Sequence, residues 1–110
     1  MNQDLDLKAR VKQILKVVKD IAPGRSVELR IPPYTAVQCV GGRTHSRGTP
    51  PNVVEMKAET LIRLLESPDL WDQFCDLGAI SASGTNSNLG NSFVQVSKLM
   101  ISEIGSENGK

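Results

Sequence analysis

The sequence predicts an α+β domain in which helices pack on one face of a sheet, and three observations carry that expectation. Apolar residues recur at helical spacing at Leu7, Val11, Ile14, Leu15, Val18 and Ile21, and again at Leu89, Phe93, Val96, Leu99 and Met100. Between these stripes, Val27-Glu28-Leu29-Arg30-Ile31 and Ile80-Ser81-Ala82-Ser83 alternate apolar and polar with the period of two that a strand requires. The resulting order, a helix, strands, two short helices, a strand and a helix, segregates element types instead of alternating them.

Each element has a local cause. The first helix stops at Pro23-Gly24. Pro32-Pro33 interrupts the first strand, because proline lacks the amide hydrogen that a ladder needs, and leads into a second strand, Tyr34 to Val40. Gly41-Gly42 reads as a tight turn, and Arg43 to Asn52 as a strand end followed by an extended loop. Val53 to Met56 is a short strand, and Leu61, Leu64 and Leu65 form a brief helical stripe. Ser67-Pro68 supplies an N-cap and a first-turn proline for a helix carrying Leu70, Trp71, Phe74 and Leu77, which Gly78 closes. Thr85 to Asn88 caps the last helix. The expected organisation is one domain over residues 1–104 with a frayed tail over 105–110.

The chain of 110 residues has a net charge of +1, so bulk electrostatics give no support for a nucleic-acid partner. Charge is nonetheless uneven. Arg25, Arg30, Arg43 and Arg47 face a single acid, Glu28, within their stretch, whereas Glu55 to Asp76 holds six acids against Lys57 and Arg63. An anion site therefore belongs in the first stretch. No window resembles a membrane span or a secretory signal, and Cys39 and Cys75 are expected to be reduced thiols in a cytoplasmic protein. One histidine and two separated cysteines match no metal-ligand spacing, and Gly41-Gly42 lacks the pattern of a nucleotide loop. No catalytic residue, metal or cofactor is expected.

Arg30-Ile31-Pro32-Pro33-Tyr34-Thr35-Ala36-Val37-Gln38-Cys39-Val40, followed by Thr44-His45-Ser46-Arg47-Gly48-Thr49-Pro50-Pro51-Asn52-Val53-Val54-Glu55, resembles the signature of a bacterial sterol carrier protein-like family. The resemblance extends through Ile80-Ser81-Ala82-Ser83-Gly84 to Leu89. It implies a twisted, mostly antiparallel sheet of about five strands covered by helices, with an apolar tunnel for sterols, fatty acids or acyl-CoA esters between the layers. Because most bacteria make no sterol, a fatty acyl or isoprenoid chain is the implied ligand. Lys57-Ala58 stand where the family usually has Asp-Pro, and Thr60-Leu61-Ile62 where it has a Thr-Trp-Leu run.

Two readings share the apolar residues that this layout brings together, Val37, Val40, Val54, Trp71, Phe74, Leu77, Ile80, Leu89 and Phe93. They line a lipid site, or they are the ordinary core of a small domain. Arg43, His45 and Arg47 alternate, so an extended backbone places all three on one face, where they grip a phosphate or carboxylate head group, or else His45 and Arg47 pair with Glu55 or donate to carbonyls of the Gly48 to Pro51 loop. The competing function is a protein-interaction or accessory domain without a ligand cavity, docking through the Arg43 to Asn52 loop or the basic first helix.

Overall fold

The computed structural model describes residues 3–41 and 52–108, with side chains over 5–41 and 52–100. Helix α1 (Gln3–Ile21) leads into strands β1 (Val27–Ile31), β2 (Thr35–Cys39) and β3 (Asn52–Met56). Helix α2 (Ala58–Glu66), a 3-10 turn (Pro68–Leu70) and helix α3 (Trp71–Asp76) follow, then strand β4 (Ile80–Ser83) and helix α4 (Gly90–Asn108).

Among the described residues the sheet has four strands where about five were expected, in the order β2-β1-β3-β4. It is mixed. β1 runs antiparallel to β2 across a turn closed by the Tyr34 amide, which donates to the Ile31 carbonyl at 2.8 Å, but parallel to β3. β3 pairs antiparallel with β4. The parallel pairing arises because the chain leaves β2 on one side of β1 and re-enters the sheet on the other, starting again beside Val27.

Period-two alternation decides which face is covered. Val27, Leu29 and Ile31 of β1, Cys39 of β2, Val54 and Met56 of β3 and Ile80 of β4 are buried. Glu28, Arg30, Glu55 and Ser81 occupy the opposite face. The helices supply the other half of the core through Val11, Ile14, Leu15 and Val18, Leu61 and Leu64, Trp71 and Phe74, and Phe93 and Val96. α1 packs beside β2, α3 beside β4, and α4 against α1, α2 and the 3-10 turn. The Ser97 hydroxyl donates to the Leu65 carbonyl at 2.6 Å and ties α4 to the end of α2.

Three boundaries differ from the sequence expectation, the first being α4, which runs to Asn108 through most of the tail expected to fray from residue 105. Ser67 makes no side-chain cap, and the stretch begins as a 3-10 turn, so α3 ends at Asp76 and Leu77 falls outside it. At α4 the Asn88 side chain accepts the Gly90 amide at 2.8 Å, and the helix rotates Leu99 to a 45% exposed position while Val96 stays buried. The expected Gly41-Gly42 turn and the loop to Asn52 lie, apart from Gly41 and Asn52, outside the described residues.

Two polar contacts fix the chain crossing. Asn52, 2% exposed, donates from Nδ2 to the Ser26 carbonyl at 2.8 Å and accepts the Asn86 amide at 2.9 Å. Val40 has φ +67°, a left-handed conformation disfavoured for a β-branched residue. Its amide donates to the Ala22 carbonyl at 2.6 Å, and its carbonyl accepts from Ser26 at 3.2 Å. Gly24 makes this approach possible, since a Cβ on it would lie 1.8 Å from the Val40 oxygen. Gly24→Ala is therefore expected to destabilise the fold by more than about 1 kcal/mol in urea denaturation. Asn52→Ala, which strands the Ser26 carbonyl and the Asn86 amide, should cost about 1–3 kcal/mol in the same assay.

Candidate functional site

The residues that the sequence nominates for an apolar site divide into three groups. Val54 and Phe93 have no accessible surface, and Ile80, Leu89, Trp71 and Phe74 retain 6% or less. The rings of Trp71 and Phe93 stack with centroids 6.2 Å apart, and the Arg63 guanidinium lies 5.7 Å from the centroid of Phe74. The wall of an open tunnel is accessible to a water-sized probe, so at these six residues the space between sheet and helices is filled by side chains.

Val37 and Val40 form the second group, half-buried against the core's margin on and just beyond β2. Leu77 stands apart at 71% exposure. It borders a groove of about 490 Å³ between the start of α2, the α3–β4 turn and the end of β3, with Met56, Ala79, Thr60 and Pro32. Glu55, Lys57 and Ser81 form its polar rim. That volume lies in the range of small-molecule sites. Met56 joins the groove to the interior, because it lines the groove and also belongs to the buried cluster, paired across the sheet with Ile80. Sequence reasoning assigned Leu77 to a wall of the interior and missed Met56; the exposed large residue beside Gly78 was the available signal.

Arg43, His45 and Arg47 lie outside the described residues. On the uncovered face of the sheet, Arg30 Nε contacts the Glu28 carboxylate at 3.2 Å and Arg30 Nη1 approaches Glu55 at 3.9 Å. The hydrogen bond and charge of Glu28, with the further charge of Glu55, raise the Arg30 pKa and hold the guanidinium in this cluster.

Neither thiol is activated. Burial pushes Cys39 up to about 11, and Cys75 is raised by partial burial and by the carboxylates of Asp72 and Asp76. Both are therefore protonated near neutrality, the unreactive state of a cysteine. Among the described residues no group of three or more potential ligands could hold a metal ion, and no helix is long and apolar enough to cross a membrane.

A family model described as bacterial SCP ortholog matches residues 4–94, which takes in the sheet, the groove and the start of α4. The chain belongs to this bacterial SCP ortholog family. The matched stretch covers all four strands of the described sheet, together with Trp71 and Phe93. No curated protein matches the chain.

The state of Cys39 gives a pH dependence with a defined sign. Its folded pKa of about 11 exceeds the ordinary value of 9.0, so the neutral thiol is favoured by folding. That contribution is complete below pH 9.0 and is lost as pH rises towards about 11. Denaturation midpoints should decline across that window more steeply for the wild type than for Cys39→Ala. At pH 8, a thiol reagent should leave Cys39 unmodified until denaturant is added.

Proposed function

We propose that the domain is a non-catalytic lipid carrier that takes up a fatty acyl, acyl-CoA or isoprenoid chain through the Leu77 groove. Membership of the bacterial SCP ortholog family supports a carrier-type role. The observation that carries the reading is the groove itself, whose lining includes both an exposed leucine and Met56, a residue shared with the core. An apolar chain laid there covers Leu77 and gains the roughly 25 cal/mol per Å² of apolar burial. Lys57 at the rim offers a charge to a carboxylate or phosphate.

The filled interior gives uptake a second stage. Further insertion between sheet and helices requires Met56, Trp71, Leu89 and Phe93 to move aside, with α4 as the element that yields. Val37, Val40, Val54, Phe74 and Ile80 then line the loaded state, with Arg43, His45 and Arg47 beside the head group. Residues 1–104 act as one carrier domain in the cytoplasm under this reading.

The closed packing at Val54 and Phe93 is also what favours the second reading, an interaction domain that holds no ligand. The two diverge on a direct measurement. Displacement of a fluorescent fatty acid should show binding by the wild type, with affinity about tenfold weaker, equivalent to about 1.4 kcal/mol, in Leu77→Glu. Because Leu77 is exposed, this variant should keep its circular dichroism and melting temperature. Wild-type protein that binds no acyl chain, acyl-CoA or isoprenoid would sink the carrier reading in favour of the interaction domain, and undiminished binding by Leu77→Glu would remove the groove from it. Phe93→Ala is a poorer probe, since emptying a fully buried aromatic site costs about 3–5 kcal/mol in stability.

A further inference from the structure

The exposed charges of the described helices include two rows of like sign that no ion pair among the described residues engages. Lys8, Lys12, Lys16 and Lys19 follow one another at spacings of four, four and three along α1, so they line one flank of the helix, and all four are exposed. Like charges at these spacings repel and weaken a helix. Among the described residues no ion pair engages any of them.

The second row is acidic. Asp69, Asp72 and Asp76 follow at spacings of three and four through the 3-10 turn and α3, with Glu66 just before them at the end of α2. All are exposed, and none is paired among the described residues. The local field is felt by Cys75, whose pKa rises in part because of Asp72 and Asp76. At 1.5 Å per helical residue the lysine row spans about 16 Å and Asp69 to Asp76 about 11 Å; Glu66 extends the acidic stretch on the other side of the non-helical Ser67.

A bilayer is a poor match for the lysine row. The apolar face of α1, Val11, Ile14, Leu15 and Val18, is committed to the core, and Leu5, 61% exposed, is the single large apolar side chain that the described part of the helix leaves open to a bilayer. A line of positive charge fits a surface of opposite sign, and this chain carries an exposed acidic stretch from Glu66 to Asp76.

We propose that the protein self-associates by charge complementarity, the lysine row on α1 of one copy docking along the Glu66 to Asp76 row of another. The two rows are different surfaces, so the contact is heterologous and either closes into a small ring or continues as a chain. It is independent of the ligand reading, and its strength falls with salt, as the Debye length shrinks from about 30 Å at about 10 mM to about 8 Å at about 150 mM.

Sedimentation velocity across that salt range tests it. Wild-type protein should show a concentration-dependent rise in sedimentation coefficient at low salt that fades at high salt. The K8Q/K12Q/K16Q/K19Q and E66Q/D69N/D72N/D76N variants should each sediment as monomers, while their equimolar mixture forms a 1:1 complex through the one remaining pair of rows. Should the acidic-row variant lose its helical circular dichroism, D72K takes its place. A wild type that stays monomeric at low salt and high concentration, or a lysine-row variant that associates as well as the wild type, overturns the proposal. So does a wild type that binds phosphatidylglycerol vesicles through the lysine row without self-associating, which would assign the row to a membrane.

Discussion

β1 and β3 begin side by side, at Val27 and Asn52, and run in the same direction although two antiparallel strands separate their origins in the chain. A parallel pair has no tight turn to set its register. Here a side chain braces the register. The Asn52 amide reaches the carbonyl of Ser26, the residue just before β1, and its oxygen accepts from Asn86, just beyond β4. One buried amide thereby aligns the starts of two strands with the exit from a third. The amide braces that end of the sheet, and burial holds Leu29 beside Val54 and Met56 beside Ile80, because a slip of one residue would turn every core side chain to the opposite face.

With the register fixed, the interior becomes a question of volume. A domain of this size stabilises itself by filling the gap between layers, and Trp71, Leu89 and Phe93 do so. A carrier must vacate the same gap. On the carrier reading, cargo and core compete for one space, and what a ligand gains by entering is set against the contacts that those residues surrender. On the same reading the Leu77 groove would ease that competition, since it offers apolar surface outside the packed layer and shares Met56 with it.

Much of this was legible in the sequence. Period two placed Val27, Leu29 and Ile31 on one face, and helical spacing placed Val11, Ile14, Leu15 and Val18 on another, because burial acts residue by residue along a regular element. The signature from Arg30 to Glu55 indicated the family. Neighbourhood in the sheet was not legible, since alternation says which way a side chain points and nothing about which strand lies beside it. Asn52 ends a polar, proline-rich run and reads as one more loop residue; its role exists only once Ser26 and Asn86 are near. Leu77 continues the spacing from Phe74, but the helix stops at Asp76, and one residue of extrapolation moved it from the interior to the surface.

The family match ends at residue 94, whereas α4 runs from Gly90 to Asn108. Phe93, the largest fully buried side chain, thus falls inside the shared portion, while Val96 and Ser97, which complete the seal against the other helices, fall beyond it. On the carrier reading, substitutions in this one contiguous stretch of helix would retune how readily the interior opens while leaving the strand register, and the amide that braces it, untouched.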